Sequence, residues 1–127
     1  MKHLLLVMLG GGLGAGGRHL VSLLSVRLFG LGFPVGTFTV NVVGSLLMGL
    51  FIGWLVKHET GNLQSLRYFF ATGFLGGFTT FSAFSLDTSV LWERGDTHLA
   101  LVYVLASVLL SIGAVFAGLM IMRHVAS

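Results

Sequence analysis

The stretch GFLGGFTTFSAFS, residues 73–85, combines three glycines, four phenylalanines and four hydroxyl side chains inside an apolar segment. Each glycine lowers the helix preference by roughly 1 kcal/mol relative to alanine, and the two adjacent threonines are β-branched. Backbone groups released at membrane depth persist only where other groups bond them or where they line a wet cavity. The stretch therefore predicts a helix interrupted between Gly76 and Thr80, where released carbonyls could coordinate a hard cation. A glycine kink satisfied by threonine hydroxyls is the alternative that the stretch alone leaves open.

The composition predicts an integral membrane protein. With 55% hydrophobic residues, 9% charged residues and a mean hydropathy of +0.98, the 127-residue chain has too few polar side chains to cover a soluble globule. Its seven Lys and Arg give a pI near 10.0, but they are scattered along the chain. Because they form no basic stripe, the charge does not predict a nucleic-acid partner.

Four stretches are long enough to cross a bilayer core, which takes about 20 mainly apolar residues per helix. They are residues 4–29, 37–56, 68–86 and 99–122. The short connections leave no room for a soluble catalytic domain, so we expect a single membrane domain over residues 1–127, multi-pass in the cell inner membrane or plasma membrane. The charged start and apolar run also resemble a secretory signal, but the cleavage pattern is poorly matched, which favours four spans.

Small residues recur at four-residue spacing in every predicted span. The sets are Gly10 with Gly14, Gly12 with Gly16, Ser45 with Gly49 and Gly53, Gly73 with Gly77, and Ser107 with Ser111. In lipid, where burial of apolar surface gives little drive for association, such faces let helices approach closely and gain dispersion contacts. Each span is therefore expected to offer a packing surface.

Lysines and arginines are divided almost evenly between the two predicted membrane sides. One side carries Lys2, Lys57, Arg67 and Arg123, and the other carries Arg27 and Arg94, joined by Arg18 if that side chain snorkels in their direction. Since the orientation of a membrane protein follows this bias, a weak bias permits insertion in both directions. Four helices are also few to enclose a pathway, so an antiparallel homodimer is expected.

Uncharged donors collect near the predicted break. Phe81 and Phe84 lie three residues apart and share a helix face, and the positive edge of an aromatic ring can contact an anion that has shed water. Asn41 adds amide donors, with Thr37 and Ser45 four residues to either side. Such a set suits a small, strongly hydrated anion, which needs replacement hydrogen bonds but would stall against a buried cation.

The segments GFLGGFTTFSAFS (73–85), FPVGTFTVN (33–41) and GGLGAGGRH (11–19) resemble the signatures of the Fluc (CrcB) fluoride channels, and the likeness in length and layout covers essentially the whole chain. The resemblance implies an all-α integral membrane protein with four transmembrane helices, the third broken near its middle, assembled as an antiparallel dual-topology homodimer. It implies two pathways that passively export cytoplasmic fluoride.

The same resemblance implies roles for individual residues. Asn41, Phe81 and Phe84 would line the pore, and a central structural sodium ion would be held by the backbone carbonyls of Gly76 and Thr79 from both subunits. A hydroxyl track along the pathway would comprise Thr80, Ser82, Ser107 and Ser111. Serine and threonine hydroxyls in membrane helices also bond their own backbone, which is the alternative for this track.

Three further positions bear on the resemblance. Arg18 resembles the family's vestibule arginine, whose positive potential would gather anions, although a snorkelling interface residue is the alternative. Ala83 stands where a threonine is common in the family, so one hydroxyl contact of the track is missing. Asp87 replaces the more usual glutamate and keeps the acid.

A small dual-topology multidrug exporter is the main rival hypothesis from another class. Proton-coupled export of cations needs an ionisable carboxylate at membrane depth. The four acids are Glu59, Asp87, Glu93 and Asp96, and all of them lie outside the four predicted spans. A purely structural membrane subunit would need no uncharged donor set, and an enzyme would need a nucleophile, base and orienting group that the sequence does not offer.

Overall fold

The computed structural model describes residues 1–58 and 63–125 as an all-helical chain. Four helices are long and apolar enough to cross a membrane: α1 (Lys2–Phe29), α2 (Val35–Lys57), an interrupted third span (Gln64–Glu93) and α6 (Thr97–Val125). The described residues contain no strand. Each helix runs slightly beyond the bounds expected from the sequence, and the number of candidate spans agrees with the expectation.

The third span consists of two halves joined by two extended residues. The first half-helix, residues 64–78, is made of α3 (Gln64–Leu66), a π-helix (Arg67–Leu75) and α4 (Gly76–Phe78). Thr79 and Thr80 then adopt extended dihedral angles, with ψ of 158° and 123°, before the chain re-enters a helix. The second half-helix is α5, Phe81–Glu93. The predicted interruption between Gly76 and Thr80 is therefore confirmed.

The helix of the third span continues beyond residue 86, where the sequence predicts the span to end. Helix α5 continues to Glu93, so Asp87 and Glu93 belong to the helix of a candidate span. These two acids therefore lie in the same helix as the predicted span, beyond its expected end. Asp96 follows in the turn before α6, and Glu59 lies outside the described residues.

Glycines bring α1 and the first half-helix into backbone contact. A Cβ atom added to Gly10 would overlap the carbonyl oxygen of Phe69, and one added to Gly14 would overlap that of Phe74. Gly77 is equally close to the backbone of Gly11 on the opposite helix. The predicted small faces of these two helices are thus confirmed, and they pack against each other.

The pair α2 and α6 forms a second close contact, in which Gly49 meets the backbone of Val115 and Gly118 meets that of Leu46. Two other predicted small residues behave differently. Gly12 and Gly16 have no atom within 4 Å of the place a Cβ would take, so their face of α1 packs against nothing in the described chain.

The best-buried side chains lie where α2, α5 and α6 meet the end of the first half-helix. Val40, Leu75 and Tyr103 have less than 2% of their surface exposed. Phe84 and Leu91 of α5 pack with Tyr103 and Ala100 of α6 in one apolar cluster. This cluster fixes the position of the second half-helix just beyond the break.

Candidate functional site

The Asn41 side chain holds the break from α2. Its Nδ2 donates to the Thr80 carbonyl oxygen at 3.0 Å, and its Oδ1 accepts from the Thr80 N–H at 2.8 Å. The backbone N–H can only donate and the backbone carbonyl can only accept, so this pair of bonds fixes which way the carboxamide points. One of the two donor hydrogens expected to be available on Asn41 is therefore committed to the backbone.

The four carbonyls of residues 76–79 have lost the amides that an unbroken helix would give them, and two of those amides, from Thr80 and Ala83, are taken by side chains. In a continuous α-helix, the N–H of Thr80 would donate to Gly76 and that of Ala83 to Thr79. Instead, the Thr80 N–H donates to Asn41 Oδ1, and the Ala83 N–H donates to the Thr80 hydroxyl oxygen at 3.2 Å. The carbonyls of Gly76 and Thr79, named from the sequence as sodium ligands, are the two that these side chains release.

Arg18 contacts the same region from α1. Its Nε donates to the Gly77 carbonyl oxygen at 3.1 Å, and the residue is half-buried. A cationic side chain at this point also complements the negative end of the first half-helix dipole. The structure thus places Arg18 against the end of α4.

A groove of about 430 Å³ opens beside the break, between α2, α5 and α6. It brings together seven of the residues named from the sequence: Asn41, Thr79, Thr80, Phe81, Phe84, Ser107 and Ser111. Arg18, Gly76 and Ser82 do not line it. The Ser82 hydroxyl lies at the rim, 3.4 Å from the Thr80 hydroxyl.

The two phenylalanine rings of the groove differ sharply in burial. Phe84 is 8% exposed and packs on Tyr103 with ring centroids 5.2 Å apart, whereas Phe81 is 77% exposed. Their own centroids are 5.5 Å apart, with the ring planes inclined at 53°. One ring is therefore fixed in the core, and the other projects from the chain at the mouth of the groove.

Hydroxyl groups near the groove fall into two classes. Those of Thr79, Ser85 and Thr88, which lie outside the predicted track, donate to backbone carbonyls one turn earlier at 2.9–3.0 Å. The hydroxyl oxygens of Ser107 and Ser111 are buried and make no hydrogen bond to any described residue. These two donors face the groove without a partner in the chain, which is unusual for buried polar groups.

Tyr103 extends this line of hydroxyls and was not identified from the sequence. It lies one helical turn before Ser107 on α6, is fully buried, and its hydroxyl donates to Asp87 Oδ2 at 3.2 Å. The four-residue spacing of Tyr103, Ser107 and Ser111 could have revealed it, because such residues share a helix face.

A second cavity, of about 450 Å³, lies beyond the Tyr103 hydroxyl. Its polar lining residues are Ser22, Ser25, Thr37, Asp87 and Arg94. Tyr103 therefore contacts one lining residue of each space: its hydroxyl donates to Asp87 of this cavity, and its ring packs on Phe84 of the groove. Arg94 is held at the outer side by Asp96 and by the Gly32 carbonyl.

Comparison with known proteins identifies the family. Residues 5–119 match the family described as CrcB-like protein, Camphor Resistance (CrcB). The chain is 52% identical over 120 residues to fluoride-specific ion channel FluC 2 of Nitrobacter hamburgensis, covering 94% of this chain and 96% of that one. It is 55% identical over 124 residues to fluoride-specific ion channel FluC of Paracoccus denitrificans, covering 97% of both chains. The chain therefore belongs to the CrcB-like family.

Proposed function

We propose that this protein is a fluoride-selective, passive ion channel that exports cytoplasmic fluoride. The observation that carries the proposal is the groove in which the buried, unpartnered hydroxyls of Ser107 and Ser111 lie beside the rings of Phe81 and Phe84. Relatives that share about half of their residues with this chain are named fluoride-specific channels. Among the described residues that line the groove there is neither a lysine nor an arginine.

The chemistry of this groove suits a small anion. Fluoride must replace its tightly bound water on entering the protein, and hydroxyl donors and the positive edges of aromatic rings supply neutral contacts for it. A fixed cation in the same place would hold the ion too firmly for rapid exit. Because fluoride enters cells from acidic surroundings as the neutral acid and ionises inside, a passive path for the anion is sufficient to lower its concentration.

The arrangement of hydroxyls indicates the route. An ion in the groove passes from Ser111 to Ser107 and then reaches the Tyr103 hydroxyl, which donates to Asp87 of the second cavity. From there it meets the hydroxyls of Ser22 and Ser25 and leaves past Arg94. Arg94 lines this cavity together with Asp87, and its guanidinium pairs with Asp96.

The exposed break supports a second copy of the chain. Gly76 is exposed in the single chain, and its carbonyl has lost its helical partner inside a candidate membrane span. Released backbone groups are tolerated at that depth only against protein or a polar cavity. A second, oppositely inserted copy would cover Gly76 and the exposed ring of Phe81, giving an antiparallel dual-topology homodimer with two pathways.

The same geometry supports a structural sodium ion between the two copies. Each chain would offer two of its released carbonyls, those of Gly76 and Thr79, and two copies would therefore supply four oxygens to one ion. Unwound backbone carbonyls within membrane helices are a known type of sodium ligand. Bound there, the ion would neutralise the carbonyl dipoles that face one another across the two-fold axis.

Passive efflux from liposomes tests the proposal. Vesicles loaded with fluoride and containing the purified protein should release it without a proton gradient, as read by a fluoride electrode, and should retain chloride in a parallel assay. Ser107→Ala combined with Ser111→Ala should slow fluoride release by about tenfold, since it removes two donors from the path. Ser85→Ala, which removes a hydroxyl that bonds its own helix, is the matched control and should release fluoride at the wild-type rate.

Two outcomes would contradict the proposal. Equal release of chloride and fluoride would show that the groove does not select the small anion. Efflux that requires a proton gradient would favour the exporter, for which Asp87 in α5 supplies a carboxylate within a candidate span.

A further inference from the structure

The released carbonyls at the break depend on two side chains that do not belong to the ion site themselves. Asn41 Oδ1 takes the Thr80 N–H, and the Thr80 hydroxyl takes the Ala83 N–H. These are the two amides whose helical acceptors would be the carbonyls of Gly76 and Thr79. We propose that Asn41 and Thr80 are positioning residues for the cation site, setting its sodium affinity by withholding two amides from its ligands.

This inference rests on the proposed sodium site. It adds that Asn41 and Thr80, which do not bind the ion, position the carbonyls that do. Asn41 would act on the cation through Thr80, from a different helix, in addition to lining the groove. The bonds on the Thr80 backbone are reciprocal, because Asn41 accepts from the Thr80 N–H and donates to the Thr80 carbonyl. The side chain therefore competes successfully with the helix for that amide.

Glycine alone does not account for the open carbonyls. Helix α1 contains six glycines within residues 10–17 and remains continuous from Lys2 to Phe29. The extended residues are Thr79 and Thr80, which follow the glycines of the third span. Something beyond low helix preference holds the break open, and the two diverted amides are the contacts found there.

Arg18 narrows the choice of ligands further. The Gly77 carbonyl, which lies between Gly76 and Thr79 in sequence, accepts from Arg18 Nε. That oxygen is occupied by a cationic donor and faces α1. The side chains around the break thus engage the carbonyls of Gly77 and Thr80 and leave those of Gly76, Phe78 and Thr79 open, of which Gly76 and Thr79 are the two whose amides Asn41 and Thr80 take.

The test measures sodium binding through stability. Purified protein in detergent is unfolded thermally at increasing sodium chloride, with N-methyl-D-glucamine chloride holding the ionic strength constant, and the sodium concentration at half of the total Tm shift is recorded. Thr80→Val removes the hydroxyl that takes the Ala83 N–H and should raise that midpoint about tenfold, the equivalent of one hydrogen bond. Thr88→Val removes a hydroxyl that bonds its own helix in α5, and should leave the midpoint within about twofold.

Variants of Asn41 separate the positioning role from the pore. Asn41→Leu removes both bonds to Thr80 and should raise the sodium midpoint at least about tenfold. Asn41→Asp retains an oxygen that accepts the Thr80 N–H, so the sodium response should persist while the added negative charge slows fluoride efflux. This variant keeps the inference testable if Asn41→Leu does not fold.

The outcomes distinguish this inference from the proposed function. A wild-type midpoint in both Thr80→Val and Asn41→Leu would overturn the inference, as would loss of the sodium response in Asn41→Asp with efflux intact. A Tm of the wild type that does not respond to sodium would overturn both the sodium site and the inference. Fluoride efflux is measured separately in liposomes, so channel activity could still stand in that case.

Discussion

Helix α1 and the third span pack against each other through glycines, yet only one of them is broken. Residues 10–17 of α1 include six glycines and form a continuous helix, whereas the third span, with Gly73, Gly76 and Gly77, opens at Thr79 and Thr80. The number of glycines therefore does not decide where a membrane helix breaks. The difference is that polar side chains take the amides of the third span, and no described contact of this kind is found on the backbone of α1.

The comparison separates two uses of glycine. In both helices the glycines allow the backbones to come into contact, which in lipid supplies much of the association energy. In the third span they also precede a segment whose backbone bonds are made by Asn41 and Thr80. Close packing and the open site are thus produced by neighbouring but different residues.

The largest expected effect concerns the glycine contacts between α1 and the first half-helix. Gly14→Ala places a methyl group against the Phe74 carbonyl and should lower the free energy of unfolding by about 3 kcal/mol, because backbone must shift to admit it. Gly16→Ala on the open face of α1 is the control and should be neutral or stabilising by up to about 1 kcal/mol. Unfolding in denaturant, followed by circular dichroism, measures both. Equal destabilisation by the two variants would show that Gly16 faces a neighbouring molecule.

A second prediction addresses the rings beyond the break. Phe84→Ile and Phe81→Ile keep an apolar side chain but remove the ring edge, and each should reduce fluoride efflux by at least about tenfold. Phe116→Ile, on the outer face of α6 with 63% of its surface exposed, is the matched control. Size-exclusion chromatography should show the same assembly for all three variants. Wild-type flux in a well-folded Phe81→Ile, Phe84→Ile double variant would exclude the rings from permeation.

A third prediction concerns the Tyr103 hydroxyl, which bonds a lining residue of the second cavity. Tyr103→Phe preserves the buried ring and its contacts with Phe84 while removing the donor to Asp87, and should slow fluoride efflux about fivefold, the equivalent of one lost hydrogen bond. Tyr68→Phe is the control, because the Tyr68 ring stacks on His3 away from both cavities, and it should leave fluoride efflux unchanged. Unchanged efflux in Tyr103→Phe would place the route elsewhere.

The smallest effect is expected where a hydroxyl satisfies its own helix. Ser85→Ala removes a bond to the Phe81 carbonyl at an exposed position and should change the free energy of unfolding by less than about 0.5 kcal/mol. Thermal or denaturant unfolding checks this directly. A larger loss of unfolding free energy would mean that the hydrogen bond from Ser85 to the Phe81 carbonyl contributes to the stability of the second half-helix.

Individual residues show what could be predicted and why the rest could not. The position of the break followed from residues 76–80, because glycines followed directly by two β-branched threonines lower the local helix preference. Asn41 was expected near the ion path, but its bonds to Thr80 span 39 positions of sequence, and no local pattern shows which atoms meet across that separation. Tyr103 was not identified as part of the site, because a tyrosine in an apolar helix has the pattern of a residue that only packs in the hydrophobic core. The bond from Tyr103 to Asp87 was not foreseen, since a charged residue in sequence gives no sign that a buried hydroxyl will bond it.

The sequence by itself determined the four apolar helices and the weak point in the third, because hydrophobicity and helix preference are properties of neighbouring residues. Only the tertiary structure decided that the weak point opens, which carbonyls it releases and which hydroxyls remain without partners in the chain. Those outcomes depend on bonds from α1 and α2 to the third span. A hydrogen bond requires its two atoms within about 3 Å, and that proximity is created by packing between helices that are distant in the chain.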